Sequence, residues 1–271
     1  MPSRRDRQRL LQQQIQQATL KKTKSSLQTS AKYNDEASVN NNHGIKNINL
    51  SEAQKNCISV IKNNVITFIE GYAGTGKTLC ALHYAVTEYL KDRSNNIIVI
   101  RTPVENNTDK IGFLPASLAE KCEPHFVSAK DALDLLLNKE KVEADLKNTK
   151  NQRIQFKIPN YALGVTFENA TIIIDEAQML QPLIMKLLLE RIGNNSKLII
   201  LGDQSQIYNK DTARNGLKDA LTKFFNHTVD ENQTIIVQEP KYEDIGYFKF
   251  SIEDMQRSDI VKTVIRAYNK L

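Results

Sequence analysis

The sequence predicts an α/β fold: a predominantly parallel sheet with helices on both faces. Three observations predict it. Short runs of apolar residues, at 65–69, 96–100, 171–174 and 197–201, alternate with longer helical stretches. These runs are apolar almost throughout instead of at every second residue, the pattern of strands covered on both faces. Finally, a glycine-rich loop follows the first run and acidic residues follow the third and fourth, so polar groups gather where strands end.

Taken in order, residues 1–48 come first. They are rich in Gln, Asn, Ser and Lys and lack the apolar side chains that offset ordering entropy, so they are expected to form an arm outside the folded domain of residues 49–271. The stretch 4–20 has little to break a helix and is read as able to order against a partner, not as a segment folded alone. Arg4, Arg5, Arg7, Arg9, Lys21, Lys22 and Lys24 face Asp6 alone, so residues 1–24 carry the whole net charge of +6 and the remainder is near neutral. Such an arm reads either as a nucleic-acid contact or as a solubilising tail.

Ser51 stands as an N-cap before a helix containing Ile58, Val60 and Ile61. Val65-Ile66-Thr67-Phe68-Ile69 then reads as a buried strand, residues 79–90 as a helix and 96–100 as the second strand. A long insertion at about 102–168 holds a helical segment at 127–137 and a charged stretch at 139–153. It reads either as a functional lobe over the sheet's carboxyl edge or as an excursion. Strands at 171–174 and 197–201 flank a helix at 183–192, and Thr234-Ile235-Ile236-Val237 reads as a fifth strand.

Three cysteines without a CxxC pair support neither a disulfide framework nor a zinc site. No apolar run reaches the ~20 residues of a membrane span, and the first residues do not resemble a signal peptide. No membrane association is expected. The four histidines show no ligand spacing.

The chemistry begins at Gly71-Tyr72-Ala73-Gly74-Thr75-Gly76-Lys77-Thr78, a G-x-x-x-x-G-K-[ST] loop set between a strand and a helix. Glycines let the backbone amides close on a phosphate, and the helix that follows adds its positive end. Lys77 is expected to span the β- and γ-phosphates of ATP, and the Thr78 hydroxyl to ligate Mg2+. The run ending in Asp175 and Glu176 supplies two acids where a Walker B element needs them. Asp175 is read as the magnesium acid and Glu176 as the group that polarises the attacking water, with simple helix capping as the alternative for the two acids. Leu201-Gly202-Asp203-Gln204-Ser205-Gln206 ends another strand in polar groups, with Gln206 as the candidate γ-phosphate sensor; an ordinary turn is the alternative.

Together these three stretches resemble motifs I, II and III of superfamily 1 helicases, and more closely the PhoH-like P-loop ATPases of bacteria and phages. Arg101-Thr102-Pro103-Val104-Glu105, Lys110-Ile111-Gly112-Phe113-Leu114-Pro115 and Glu120-Lys121-Cys122-Glu123-Pro124 carry the closer resemblance. It covers roughly residues 50–270. It implies a RecA-like core with strand order 5-1-4-3-2, ATP and magnesium as cofactors, a cytoplasmic setting in a bacterial cell or phage-infected host, and action on single-stranded RNA or DNA. Candidate strand contacts are Arg101, Thr102 and Thr166. Gln54 resembles the family's adenine-recognising glutamine, with a solvent-facing helix residue as the alternative.

Two departures stand out. Pro159-Asn160-Tyr161-Ala162-Leu163-Gly164-Val165-Thr166 lacks both arginines of the family's Arg-Gly-Arg-Thr element, and Asp254-Met255-Gln256-Arg257-Ser258 replaces Asp-Val-Val-Arg-His. Arg257 is read either as an arginine finger or as a partner of a helix end, Asp254 or Asp259. At 271 residues the chain is short for a second RecA-like domain, so a finger would come from a neighbouring subunit, which implies a hexameric ring. The rival reading is a nucleotide-gated regulatory or binding module without motor activity.

Overall fold

The computed structural model describes residues 44–102, 123–148, 151–207 and 215–269. Residues 1–43 of the arm and the segment carrying Gly112-Phe113-Leu114-Pro115 therefore lie outside the described residues.

Ser51 starts helix α1 (Glu52–Asn63) through a reciprocal box: its hydroxyl accepts the Gln54 N–H while the Gln54 carboxamide oxygen accepts the Ser51 N–H. Strand β1 (Ile66–Glu70), the glycine loop and α2 (Lys77–Lys91) follow, then β2 (Asn96–Arg101). The insertion supplies α3 (Val127–Leu136), α4 (Lys139–Lys147), strand β3 (Ile154–Lys157) and the single turn α5 (Pro159–Ala162). Strand β4 (Ala170–Asp175), α6 (Pro182–Leu189) and β5 (Lys197–Gly202) complete the expected core. Beyond it come α7 (Gly216–Phe224), β6 (Phe225–Val229), β7 (Ile235–Pro240), β8 (Ile245–Lys249) and α8 (Asp259–Asn269).

Six strands form one sheet in the order β3-β2-β4-β5-β1-β8, and every pairing is parallel. The expected placement of the 197–201 strand between the loop strand and the 171–174 strand holds. Both edges differ from expectation. Residues 234–237 do enter a strand, β7, but it pairs antiparallel with β6 in a separate two-stranded sheet, and β8 takes the place beside β1. The cause is visible in the burial: Ile235 is buried and Ile236 is exposed, so β7 has a wet face, which suits an antiparallel hairpin and not the interior of a parallel sheet. At the other edge, the charged stretch of the insertion ends in β3, which extends the sheet beyond β2.

The continuous apolar runs are used on both faces. Phe68, Ile98, Ile100, Ile172, Ile174 and Ile200 pack with Met185 and Leu188 of α6, Leu217 and Leu221 of α7, and Phe225. Their sequence neighbours Ile69, Ile97, Val99, Ile173 and Ile199 are fully buried too, on the opposite face by strand alternation. Phe68 and Phe225 meet edge to face at 5.4 Å, a geometry the ring quadrupoles favour. Lys197, at the start of β5, donates its ammonium to the carbonyls of Ile61, Lys62 and Asn64 and so closes the C-terminal end of α1 against the sheet. The two described cysteines, Cys57 and Cys80, are free and buried. Among the described residues no helix is long and apolar enough to cross a membrane.

Candidate active site at the carboxyl edge of the sheet

The loop between β1 and α2 turns through Gly74 (φ 88°) and Gly76 (φ 91°), both in the left-handed region that side chains resist. A Cβ at Gly76 would also lie 2.5 Å from the Gln54 carboxamide nitrogen. Gly76 caps α2 without any side-chain bond, so the first amides of the helix have no internal acceptor and face the loop's concavity as ready anion donors. Lys77, the first helical residue, lies back over the loop, with its ammonium 2.5 Å from the Gly71 carbonyl oxygen and 3.1 Å from that of Tyr72. Burial pushes the Lys77 ammonium below its usual range, against the pull of the Asp203, Glu176, Asp175 and Glu70 carboxylates around it.

Strand β4 ends in Asp175, which is 4% exposed, and burial raises its carboxyl above the ordinary range while the Arg101 charge opposes that rise. Glu176 follows at φ 54° and ψ 45°, a left-handed backbone at a non-glycine residue. That turn brings the Glu176 N–H to Asp175 Oδ1 at 3.1 Å and sets the two carboxylates side by side. Among the described residues no group of three or more His, Cys, Asp or Glu side chains is placed to hold a metal alone. One buried acid, a helix-start hydroxyl at Thr78 and a phosphate cradle are the donor set that suits magnesium, an ion held largely by phosphate and water.

Gln178 joins this strand end to the next. Its carboxamide nitrogen donates to Glu176 Oε2 at 2.5 Å and to Gln206 Oε1 at 3.3 Å, and its oxygen accepts the Asp203 N–H at 3.1 Å. Gln206 is therefore tied to Glu176 through one buried side chain. Asp203 holds Ser205 by its Oδ1, while its Oδ2 is buried without a partner. Gln204 turns the other way: its carboxamide clasps the backbone N–H and C=O of Ile235 on β7 and donates to Glu70 Oε2 at 3.0 Å.

The remaining candidates separate. Gln54 is 5% exposed, which removes the solvent-facing alternative; its amide donates to the Thr75 carbonyl at 3.5 Å and its oxygen serves the α1 cap. The segment after β8 crosses its own chain's glycine loop, Gln256 N–H donates to the Gly74 carbonyl at 3.0 Å, and a Cβ at Gly74 would lie 2.5 Å from Arg257 Nε. Arg257, read from sequence either as a finger or as a partner of a helix end, Asp254 or Asp259, thus lies against the glycine loop of its own chain. The Arg101 side chain is 19% exposed and turned inward onto Asp175 and Glu176, and Thr102 Oγ1 is buried without a partner. Thr166 is exposed and lies against Gly193, before β4 and β5 begin, so it sits away from the edge that holds Arg101. The three strand-contact candidates do not share one surface. Tyr72, Ala73 and Thr75 complete the loop, where the Thr75 hydroxyl donates to the Tyr72 carbonyl.

Four residues at the site were not singled out from sequence: Glu70, Gln178, Gln204 and Tyr247. Glu70 directly precedes the glycine loop, Gln178 stands two residues beyond the acids at 175–176, and Gln204 lies inside the 201–206 stretch; a polar side chain within or beside a motif at a strand end is the signal that was available. Tyr247 donates its hydroxyl to Glu70 Oε2 at 2.6 Å across the β1–β8 pairing, a contact with no trace in local sequence.

Comparison with known proteins bears on this arrangement. The profile of the family described as PhoH-like protein matches residues 46–269. The chain belongs to the PhoH-like protein family. Among the relatives of this PhoH-like chain, the PhoH-like protein of Synechocystis is 31% identical over 217 residues, covering 80% of this chain and 60% of that protein. Protein PhoH of Escherichia coli K12 is 32% identical over 219 residues, 81% of this chain and 57% of its own. This PhoH-like chain therefore spans less than two thirds of the length of the curated relatives it matches. The solved Pyrococcus furiosus Hef helicase domain aligns over 75% of this chain and 38% of its own, at 14% identity and a TM-score of 0.41, a likeness too loose to assign anything. Family and fold together make the chain a P-loop, ATPase-like nucleotide-binding protein.

Proposed function

We propose that this PhoH-like chain hydrolyses ATP with magnesium and couples the reaction to single-stranded RNA or DNA. The observation that carries the hydrolysis reading is the convergence on Lys77: the glycine cradle, the uncapped start of α2 and the carboxylates of Asp175, Glu176 and Asp203 meet at one edge of the sheet. Phosphoryl transfer to water needs little covalent chemistry from a protein and much charge placement. Lys77 leaves the Gly71 and Tyr72 carbonyls for the β- and γ-phosphates, and the α2 amides take phosphate oxygens. Asp175 and Thr78 are the residues to hold magnesium, which when bound draws off charge from the phosphates. Glu176, oriented by Gln178, accepts the water's hydrogen bond on the γ side, and Gln206, on the same Gln178 amide, is the sensor. Arg257 serves its own loop as the second cation near the γ-phosphate.

Coupling to a strand rests on the family likeness and on the basic residues 1–24. The test is ATP turnover of the full chain with and without single-stranded RNA or DNA at two salt concentrations. Phosphate contacts predict stimulation that weakens as salt rises, and Lys77→Ala should abolish turnover. Near-normal hydrolysis by Lys77→Ala would remove the loop from the chemistry. Turnover indifferent to both polymers would leave a nucleotide-gated module as the function.

A further inference from the structure

Arg101 closes β2, and its Cα is the register partner of Asp175 on β4, so a side chain from one strand end can reach the acid of the next. It does so with both ends of its fork. Nη1 donates to Asp175 Oδ2 at 3.0 Å and Nη2 to Glu176 Oε1 at 3.3 Å. Nη1 also donates to Ser128 Oγ at 3.0 Å, in the first turn of α3, so the insertion anchors the guanidinium from the far side. The side chains of Arg101 and Asp175 are 19% and 5% exposed, which places this pair largely out of water. The third donor, Nε, is buried without a partner, so the arginine's own bonding is incomplete where it rests.

We propose that Arg101 is a positioning residue for hydrolysis: it holds Glu176 in place through Nη2 and is the resident cation on Asp175 with which the divalent metal competes. The proposal rests on the ATPase reading above. Two carboxylates on consecutive residues repel unless a cation lies between them, and a planar fork satisfies both at once in a way that an ammonium cannot. The same fork adds positive charge beside the oxygens that magnesium would use, so metal affinity is lower with the arginine than without it. On metal binding the Nη1 bond to Asp175 loosens, while the Glu176 and Ser128 bonds keep the guanidinium at the site. Charge and fork geometry thus contribute separable effects: the charge sets metal affinity, and the fork sets the orientation of Glu176.

The test uses the full chain with Arg101→Ala, Arg101→Lys and Ser128→Ala, and reads two quantities. The first is the magnesium concentration at half-effect on binding of a fluorescent ADP analogue; the second is ATP turnover at saturating magnesium. Arg101→Ala should lower the half-effect concentration by about tenfold and lower turnover by about 10- to 100-fold. Arg101→Lys keeps the charge and loses the fork, so its magnesium dependence should stay near wild type while turnover falls. Ser128→Ala should lower turnover only a few-fold. An unchanged magnesium midpoint in Arg101→Ala, or full turnover in Arg101→Lys, overturns the inference. Should Arg101→Ala fail to fold, the lysine and Ser128 variants decide. If the wild-type chain binds no ADP analogue, the ATPase reading itself fails; if it binds and only the variants behave as wild type, the assignment of Arg101 alone fails.

Discussion

Replacing Gln178 by leucine should damage stability and turnover together. The carboxamide is 4% exposed at the residue level and makes three side-chain bonds, to Glu176, Gln206 and the Asp203 N–H. A neutral buried hydrogen bond contributes about 1 kcal/mol net, and a buried donor left without an acceptor costs about 1–3 kcal/mol. The Asp203 N–H becomes such a donor. The bond to Glu176 counts for less than a charged bond otherwise would, because the Glu176 side chain is 31% exposed. The sum is about 3 kcal/mol, a fall in melting temperature of about 6–12 °C for a domain of this size. Turnover falls further, since Glu176 and Gln206 lose their shared tie. Gln178→Glu has the same shape and still accepts from Asp203 but sets a carboxylate against Glu176, so it should lose more turnover than the leucine variant. Thermal melts and steady-state ATP hydrolysis read both effects. A leucine variant that melts within about 2 °C of wild type and turns over normally would refute the reasoning.

Two further predictions concern charge and assembly. Glu70 is buried under Tyr247 and Gln204, and burial raises its carboxyl above the ordinary range against those two hydrogen bonds; the folded state then binds its proton more tightly than the unfolded one, so this group's contribution to stability is present at acid pH and lost as pH rises from the ordinary glutamate range through the raised value. Glu70→Gln should accordingly gain stability over wild type at neutral pH and lose that advantage below pH ~4, as measured by denaturant melts across the range. Because Arg257 lies on its own loop, mixing Arg257→Ala with Glu176→Gln chains should restore no ATP turnover; recovery would show that the arginine is donated between chains.

What could be read from the sequence follows contact distance along the chain. The glycine loop and the acids at 175–176 are contiguous, and the apolar runs that deliver them are short and unambiguous, so the candidate site's position was legible, whereas the central sheet order was implied by the family resemblance and not by the runs themselves. Strand β8 was not: its sequence Ile245-Gly246-Tyr247-Phe248-Lys249 carries a glycine that weakens any strand reading. Its reason is tertiary, since a Cβ at Gly246 would lie 2.5 Å from the Asn64 carboxamide closing α1. Strand β3 hid at the end of a charged stretch because an edge strand tolerates polar residues. Arg101 read as a candidate strand contact because the partners that turn it inward lie 74 and 75 residues away. Arg257 read either as a finger or as a partner of a helix end, Asp254 or Asp259, because nothing local shows that the segment after β8 doubles back over the loop.

The left-handed backbone at Glu176 has an evolutionary consequence. A side chain held at φ 54° works against folding by about 1–2 kcal/mol, and glycine or asparagine would relieve it. Selection for a sturdier fold and selection for the water-activating role proposed for Glu176 therefore favour different residues at position 176. Stabilising substitutions there should be easy to obtain and should arrive with hydrolysis lost.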